Sequence, residues 1–214
     1  MRIFDYLNTR LGFTGRHRRV IDKQVPAGIS YFSCFGGITF TLFVVQVLTG
    51  LLLSVHYSPT GGEAYASIQR LHREVPLGAL LRAVHHWAAN LMVVTIVLHM
   101  FRVFVAGAYK NPRELTWVAG TMLLCLTLAF GFTGYLLPWD QKAYWATVVG
   151  TNMIGSVPIV GSGLASFLRG GGEVSGGTLL RFYSMHILWL PFLTTLFLWV
   201  HFHIIRRLGV SGGM

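Results

Sequence analysis

Long apolar runs separated by short polar segments dominate the pattern of this chain. The runs cover residues 32–56, 80–105, 115–137 and 179–205, and each holds between 23 and 27 residues. An α-helix rises about 1.5 Å per residue, so about 20 apolar residues cross a hydrocarbon core of about 30 Å. We therefore predict four transmembrane helices.

The segments between the runs predict how the helices end and connect. Proline and paired glycines follow the first run, Pro138 ends the third, and Pro191 predicts a kink in the fourth. Residues 1–31 mix apolar and basic side chains, which is typical of an interfacial helix. The connection between the third and fourth runs carries apolar clusters that predict short helices on the membrane surface. The predicted fold is an all-α integral membrane bundle, forming a single domain over residues 1–214.

Composition supports a membrane protein and excludes several other classes. Of the 214 residues, 53% are hydrophobic and only 11% are charged, and the mean hydropathy is +0.58, which is unusual for a water-soluble domain. The net charge of +10 does not indicate nucleic acid, because the basic residues lie at the ends of the apolar runs. Residues 1–23 lack the apolar core of a cleavable signal peptide.

The distribution of basic residues predicts the orientation. The side that holds both termini carries eleven lysines and arginines, and the opposite side carries six. The positive-inside rule therefore places both termini in the cytoplasm or its topological equivalent. A bacterial cell membrane is favoured, with the thylakoid membrane as the alternative.

Four histidines inside two of the predicted helices are the main candidates for chemistry. His85 and His99 are fourteen residues apart, which corresponds to a rise of about 21 Å and a rotation within about 40° of the starting direction. His186 and His201 repeat the arrangement in the fourth helix. Polar residues inside a membrane are costly, so such histidines are functional candidates. A lone histidine could form only an interhelical hydrogen bond, but four at two matched depths predict paired ligation.

Rotation around the helix selects among neighbouring histidines. His86 is thirteen residues from His99, close to the opposite face of the helix. In the fourth helix, His203 is about 100° away from His186, whereas His201 is about 60° away. We therefore predict packing roles for His86 and His203.

The residues around these histidines favour haem over a bare metal ion. Imidazole also suits zinc and copper, but no carboxylate or thiolate accompanies the histidines in either layer. Two imidazoles on opposite faces of a porphyrin fill both axial positions, which favours electron transfer. We therefore predict two b-type haems stacked across the membrane.

Glycines and arginines extend the predicted sites. Two pairs of glycines repeat the fourteen-residue spacing in the first and third helices, where they would let a flat ring approach; the pairs are Gly36 with Gly50 and Gly120 with Gly134. The haem propionates need cations near each face. The outer candidate is Arg82, and the inner candidates are Arg113 and Arg206.

Three motifs give the chain a resemblance to a known family. They are Gly-Phe-Thr-Gly-Tyr-Leu-Leu-Pro-Trp-Asp-Gln at residues 131–141, Lys-Asn-Pro-Arg-Glu-Leu-Thr-Trp at 110–117 and Arg-Phe-Tyr-Ser-Met-His at 181–186. The chain resembles the cytochrome b family over almost its whole length. Its shortness matches the split form, which comprises cytochrome b6 and its bacterial menaquinol-oxidising relatives.

The resemblance implies specific haem sites. His85 and His186 would bind an outer, low-potential haem b, and His99 and His201 an inner, high-potential haem b. Cys34 matches the cysteine that binds a third haem, of c type, through a single thioether bond. Cys125 has no such match and is interpreted as a small buried apolar residue.

The resemblance also implies a function and partners. The chain would be the electron-transfer subunit of a quinol:cytochrome c or plastocyanin oxidoreductase that moves protons across the membrane, and it would not act alone. Quinol would be oxidised at the outer face near residues 135–145, and quinone would be reduced at the inner face. The implied partners are a second membrane subunit with a Pro-Glu-Trp-Tyr motif, a Rieske iron–sulfur protein and a c-type cytochrome, in a dimeric complex.

Two other functions fit part of the pattern. A dihaem membrane anchor of a dehydrogenase or hydrogenase also has four helices and paired histidines, but it does not explain Cys34 or Pro138-Trp139-Asp140. A haem-free transporter could use the histidines to relay protons.

Overall fold

A computed structural model describes residues 31–209 as a bundle of helices. This part of the chain contains no β-strand. A 3₁₀ turn at Tyr31–Cys34 leads into the first helix. In chain order the α-helices are α1 (Phe35–Ser54), α2 (Ala64–Glu74), α3 (Gly78–Val105), α4 (Glu114–Leu136), α5 (Gln141–Gly155), α6 (Gly161–Arg169), α7 (Gly176–Ser184) and α8 (Leu190–Leu208).

Four of the helical segments are long and apolar enough to cross a membrane. They are α1, α3, α4 and the continuous run Gly176–Leu208, which joins α7 to α8. Their ends lie within three residues of the predicted runs, and this confirms the all-α membrane fold. The interfacial helix predicted before residue 31 lies outside the described residues.

The outward faces of these helices are apolar, and small residues lie where the helices meet, beside larger ones such as Met92 and Leu123. Leu51 and Trp199 expose more than 60% of their surface, as expected where lipid covers the helix. Buried threonines such as Thr127 donate their hydroxyl hydrogen to the carbonyl four residues earlier, here that of Leu123 at 2.8 Å. A small side chain whose hydroxyl is hydrogen-bonded within its own helix lets two helices approach closely.

The bundle consists of two closely packed helix pairs. The most extensive contacts join α1 to α3, and the next join α4 to α8. Side-chain hydrogen bonds fix α1 against α3. Gln46 donates to the backbone carbonyl of His85 at 2.7 Å, and Thr39 donates to the hydroxyl of Thr95 at 2.9 Å.

The fourth span changes its winding where the sequence predicts a kink. A π-helical turn occupies Met185–Trp189, and Pro191 lies in the first turn of α8 directly after it. A π-turn places one extra residue in an α-helix. The fifteen residues from His186 to His201 therefore turn through nearly the same angle as the fourteen from His85 to His99.

Short helices connect the third and fourth spans, as predicted. Asp140 caps α5 by accepting a hydrogen bond from the backbone N–H of Ala143 at 2.8 Å. Arg169, at the end of α6, donates to the hydroxyl of Thr151 and to the side-chain oxygen of Asn152, both at 2.7 Å. These bonds hold α6 against α5.

A second arginine ties the same connection to the fourth span. Arg181 donates to the backbone carbonyl of Phe167 at 3.1 Å. Gly170, at φ +78°, passes so close to the Arg181 guanidinium that a side chain would not fit. These contacts with Arg181 hold the loop that joins α6 to α7 in place.

Candidate haem-binding site

The structure brings His85 and His186 together across the bundle. His85 lies in the second turn of α3, and His186 lies in the π-turn of the fourth span. Their ring centroids are 6.4 Å apart, and the ring planes make an angle of 67°. We call these two residues the outer pair.

The separation within the outer pair suits one metal atom between the rings. A bond between a metal and an imidazole nitrogen is about 2 Å long, and the nitrogen lies about 1.1 Å from the centre of its ring. If both rings bind the same metal from opposite sides, their centres are about 6.2 Å apart. This is close to the observed separation of 6.4 Å. The outer pair therefore fits two axial ligands of one iron.

Threonine hydroxyls on neighbouring helices occupy one nitrogen of each ring in the outer pair. The Thr49 hydroxyl lies 2.8 Å from Nδ1 of His85, and the Thr133 hydroxyl lies 2.9 Å from Nδ1 of His186. Within residues 31–209, no side-chain hydrogen bond reaches Nε2 of either ring, and the backbone of Phe130 also interacts with His186. Nε2 is therefore the nitrogen available to a ligand.

His99 and His201 form the second pair, which we call the inner pair. The two rings are close enough to interact electrostatically. Nδ1 of each is buried and has no hydrogen-bond partner in the described part of the chain, although His201 interacts electrostatically with the backbone of Thr116.

A glycine faces each of the four histidines. Sequence analysis predicts that these glycines make room for the edge of a flat cofactor, and the structure places an imidazole ring against each of them. Glycines of α1 face the histidines of α3, and glycines of α4 face those of the fourth span. A Cβ added to the glycine would lie 3.0 Å from Cε1 of the ring for Gly36 and His99, 3.3 Å for Gly50 and His85, 3.5 Å for Gly120 and His201, and 2.8 Å for Gly134 and His186.

The neighbouring histidines lie elsewhere. His86 is exposed, and its Nε2 lies 3.3 Å from the side-chain nitrogen of Asn90. His203 is exposed and stacks on Trp199 with ring centroids 5.5 Å apart. Neither contact brings these rings into the outer or the inner pair.

The predicted arginines occupy both ends of the bundle. At the outer end, the guanidinium of Arg82 lies 3.2 Å from Nε2 of His72. At the inner end, Arg113 donates to the carbonyl of Leu208 at 3.5 Å, and Arg206 is exposed.

One basic residue near the inner pair escaped sequence analysis. Arg102 carries a buried Nη2 with no hydrogen-bond partner among the described residues, and its charge acts on His99. It lies three residues after His99 on the same helical face. That spacing was the signal that could have identified it.

The two cysteines differ in their surroundings. Cys34 is exposed at the N-terminus of α1, two residues before the glycine that faces His99. Its depth in the membrane is therefore that of the inner pair. Cys125, interpreted above as buried, is instead exposed, because it lies about 200° around α4 from the buried Leu123.

The outer connection after α4 has a fixed conformation. Trp139 lies at φ +51°, and its indole nitrogen is near Gly61. The Tyr57 hydroxyl donates to the carbonyl of Leu137 at 2.6 Å. Burial, and then the neighbouring Tyr183, raises the pKa of Tyr57, so this phenol stays a neutral donor at physiological pH.

Residues 31–209 contain no cluster of three or more histidine, cysteine, aspartate or glutamate side chains that could hold a bare metal ion. The histidines are instead arranged in pairs. A pair would supply two ligands to an iron, and a cofactor such as a porphyrin would supply the others.

Comparison with known proteins gives a consistent result. The profile of the family described as cytochrome b/b6/petB matches residues 20–209. A curated cytochrome b6 from Mesostigma viride is 46% identical over 211 residues, which cover 99% of this chain and 98% of that protein. A solved chain of a hyperthermophilic respiratory Complex III superimposes with a TM-score of 0.92 at 29% identity. The alignment covers 98% of this chain and 56% of that chain.

Proposed function

Because this chain belongs to the cytochrome b/b6 family, we propose that it is the electron-carrying membrane subunit of a quinol oxidoreductase complex. The observation that carries the proposal is the outer pair, whose centroid separation of 6.4 Å suits one iron between two imidazoles. We propose that the inner pair forms a second site nearer the other end of the bundle, because its two rings are close enough to interact electrostatically. Together they define a path across most of the membrane.

In this proposal the four histidines bind two b-type haems, His85 with His186 and His99 with His201. A haem held between two histidines would supply reversible one-electron chemistry. The chain itself positions the rings and excludes water from them, and the glycines opposite the rings leave space for each imidazole.

We further propose a third haem, of c type, attached to Cys34. Its thiol is exposed at the depth of the inner pair, where a group bound to it would extend the path towards the inner face.

Quinol oxidation is assigned to the outer connection near residues 135–145, and quinone reduction to the inner face. Two electrons and two protons leave each quinol. One electron goes to an iron–sulfur partner, the other crosses through this chain, and the protons are released outside.

This assignment implies a multi-subunit complex. The chain spans 56% of the length of the solved Complex III chain that it matches and 98% of the cytochrome b6 from Mesostigma viride. We propose that it assembles with a second membrane subunit that carries a Pro-Glu-Trp-Tyr motif. A Rieske protein and a c-type cytochrome complete the proposed dimeric assembly. The basic residues near the chain termini favour the cytoplasmic or stromal side for both termini, in a bacterial membrane or, as the alternative, a thylakoid.

Haem content tests the function directly. In the purified complex, we expect the reduced-minus-oxidised absorption spectrum to show two b-type haems per copy of this chain. His85→Ala should remove one of them, whereas the matched His86→Ala should retain both, because His86 is exposed and outside the pair.

A protein without reduced b-type absorption bands would favour the alternative of a haem-free transporter. Purification without a Rieske protein or second membrane subunit would favour the dihaem anchor.

Covalent attachment is tested separately. After extraction with acidified acetone, we expect one haem to remain on the wild-type chain and on Cys125→Ala, and none on Cys34→Ala. A Cys34→Ala chain that keeps its non-extractable haem would contradict the assignment.

A further inference from the structure

The hydroxyls of Thr49 and Thr133 have an unusual position, because each contacts the ring nitrogen of an outer-pair histidine on another helix. Thr49 of α1 lies 2.8 Å from Nδ1 of His85, and Thr133 of α4 lies 2.9 Å from Nδ1 of His186. Both threonines are buried. The outer pair is therefore held symmetrically from two sides.

Counting hydrogens decides the direction of these bonds. The Thr49 hydroxyl lies 2.6 Å from the carbonyl of Val45, and the Thr133 hydroxyl lies 2.8 Å from that of Ala129. A carbonyl can only accept, and a hydroxyl has one hydrogen to donate. Each hydroxyl therefore gives its hydrogen to its own helix and accepts one from the imidazole.

The direction of the bonds fixes the tautomer of both rings. A neutral imidazole whose Nδ1 donates carries its free lone pair on Nε2. Within residues 31–209, no side-chain hydrogen bond reaches Nε2 of either ring. The threonines therefore prepare both rings to donate the same nitrogen to an iron between them.

No threonine hydroxyl contacts the rings of the inner pair among the described residues. The backbone of Thr116 interacts with His201 as that of Phe130 does with His186, so backbone contacts are common to both pairs. Nδ1 of His99 and Nδ1 of His201 are buried without a hydrogen-bond partner in the described residues. The hydroxyl contacts therefore distinguish the outer pair from the inner pair.

We propose that Thr49 and Thr133 are positioning residues that lower the reduction potential of the outer haem relative to the inner one. An acceptor at Nδ1–H makes the imidazole a stronger electron donor, and this stabilises the oxidised iron. The hydroxyls also keep each ring in one orientation. The inference rests on the proposed function, because it requires haem between His85 and His186.

Isosteric substitution tests the proposal, since Thr49→Val and Thr133→Val remove the hydroxyl and keep the shape. In a redox titration of the purified complex, followed by the absorbance of each b-type haem, we expect the outer midpoint potential to rise in both variants. The inner potential should stay at its wild-type value. Thr49→Ser and Thr133→Ser keep an acceptor, so their outer potential should stay close to that of the wild type.

A matched control comes from α4 itself. Thr127 is buried and bonds to the carbonyl of Leu123 at 2.8 Å as Thr133 does to that of Ala129, but within residues 31–209 it forms no hydrogen bond to a histidine. Thr127→Val should therefore leave both potentials unchanged.

The outcomes separate the two proposals. A wild-type complex without b-type haem contradicts the proposed function before any variant is made. Full haem content with unchanged outer potentials in both valine variants overturns the role of the threonines. An equal shift in the midpoint potentials of both haems also overturns it. The same holds if Thr127→Val shifts the outer potential as much as the two other valine variants do. Loss of the outer haem in the valine variants but not in the serine variants supports the role, whereas loss in both overturns it.

Discussion

An imidazole inside a helix bundle needs space on the neighbouring helix, and at four positions in this chain a glycine provides it. Gly134 is the tightest case, because a Cβ there would lie 2.8 Å from Cε1 of His186. The ring cannot move away freely, since Thr133 holds its Nδ1 at 2.9 Å. The position of the ring therefore depends on the absence of a single carbon atom.

Substitution of this glycine gives a sharp prediction at the scale of the residue. We expect Gly134→Ala to displace His186 by several tenths of an ångström, enough to lower the content of the outer haem severalfold. Gly131→Ala is the matched control on the same helix, because a Cβ there meets no atom within 4 Å. Haem quantification of both purified variants measures the difference. Equal haem content would show that the space at Gly134 is not required.

At the scale of the element, the π-turn at Met185–Trp189 explains an irregular spacing. Fifteen residues separate His186 from His201, and in a regular α-helix they would leave the two rings about 60° apart in direction. The π-turn takes up one residue. Both rings can then face helix α4, where Gly134 and Gly120 lie against them.

An insertion tests whether the register matters. One alanine inserted after Leu196, between the two histidines, would rotate one of them by about 100° relative to the other. We expect the purified variant to lose one b-type haem and to retain the other, as measured by absorbance. An alanine inserted between Gly171 and Gly172 is the control, because it lengthens an exposed loop without changing any span. If the variant with the alanine inserted after Leu196 keeps both haems, haem binding does not depend on the helical register of α8.

For the whole molecule, charge distribution predicts how the bundle sits in the membrane. The side with the termini carries eleven lysines and arginines against six on the other side. In a bacterial host, a green fluorescent protein fused after Met214 should therefore be fluorescent, and an alkaline phosphatase fused there should be inactive. The same phosphatase inserted between Gly171 and Gly172 should be active. The reverse pattern would invert the assigned orientation and, with it, the outer and inner pairs.

Much of the fold could be predicted from the sequence, because a membrane restricts a chain to few solutions. Backbone groups in lipid must bond within their own helix, so apolar length alone identifies a span. The four runs accordingly lie within three residues of the spans that the structure contains. Rotation about one helix likewise separated His85 from His86, since that angle depends only on local geometry.

The sequence by itself determined the four spans, the depths of the histidines and the motifs of the family, because each follows from a local period or a contiguous run. Only the tertiary structure decided which glycine faces which histidine, which threonine contacts Nδ1 of each outer ring, and that Cys125 lies on an exposed face. It also revealed the π-turn that aligns His186 with His201. These features join residues on different helices or depend on a change of winding, and no periodicity along the chain encodes either of them.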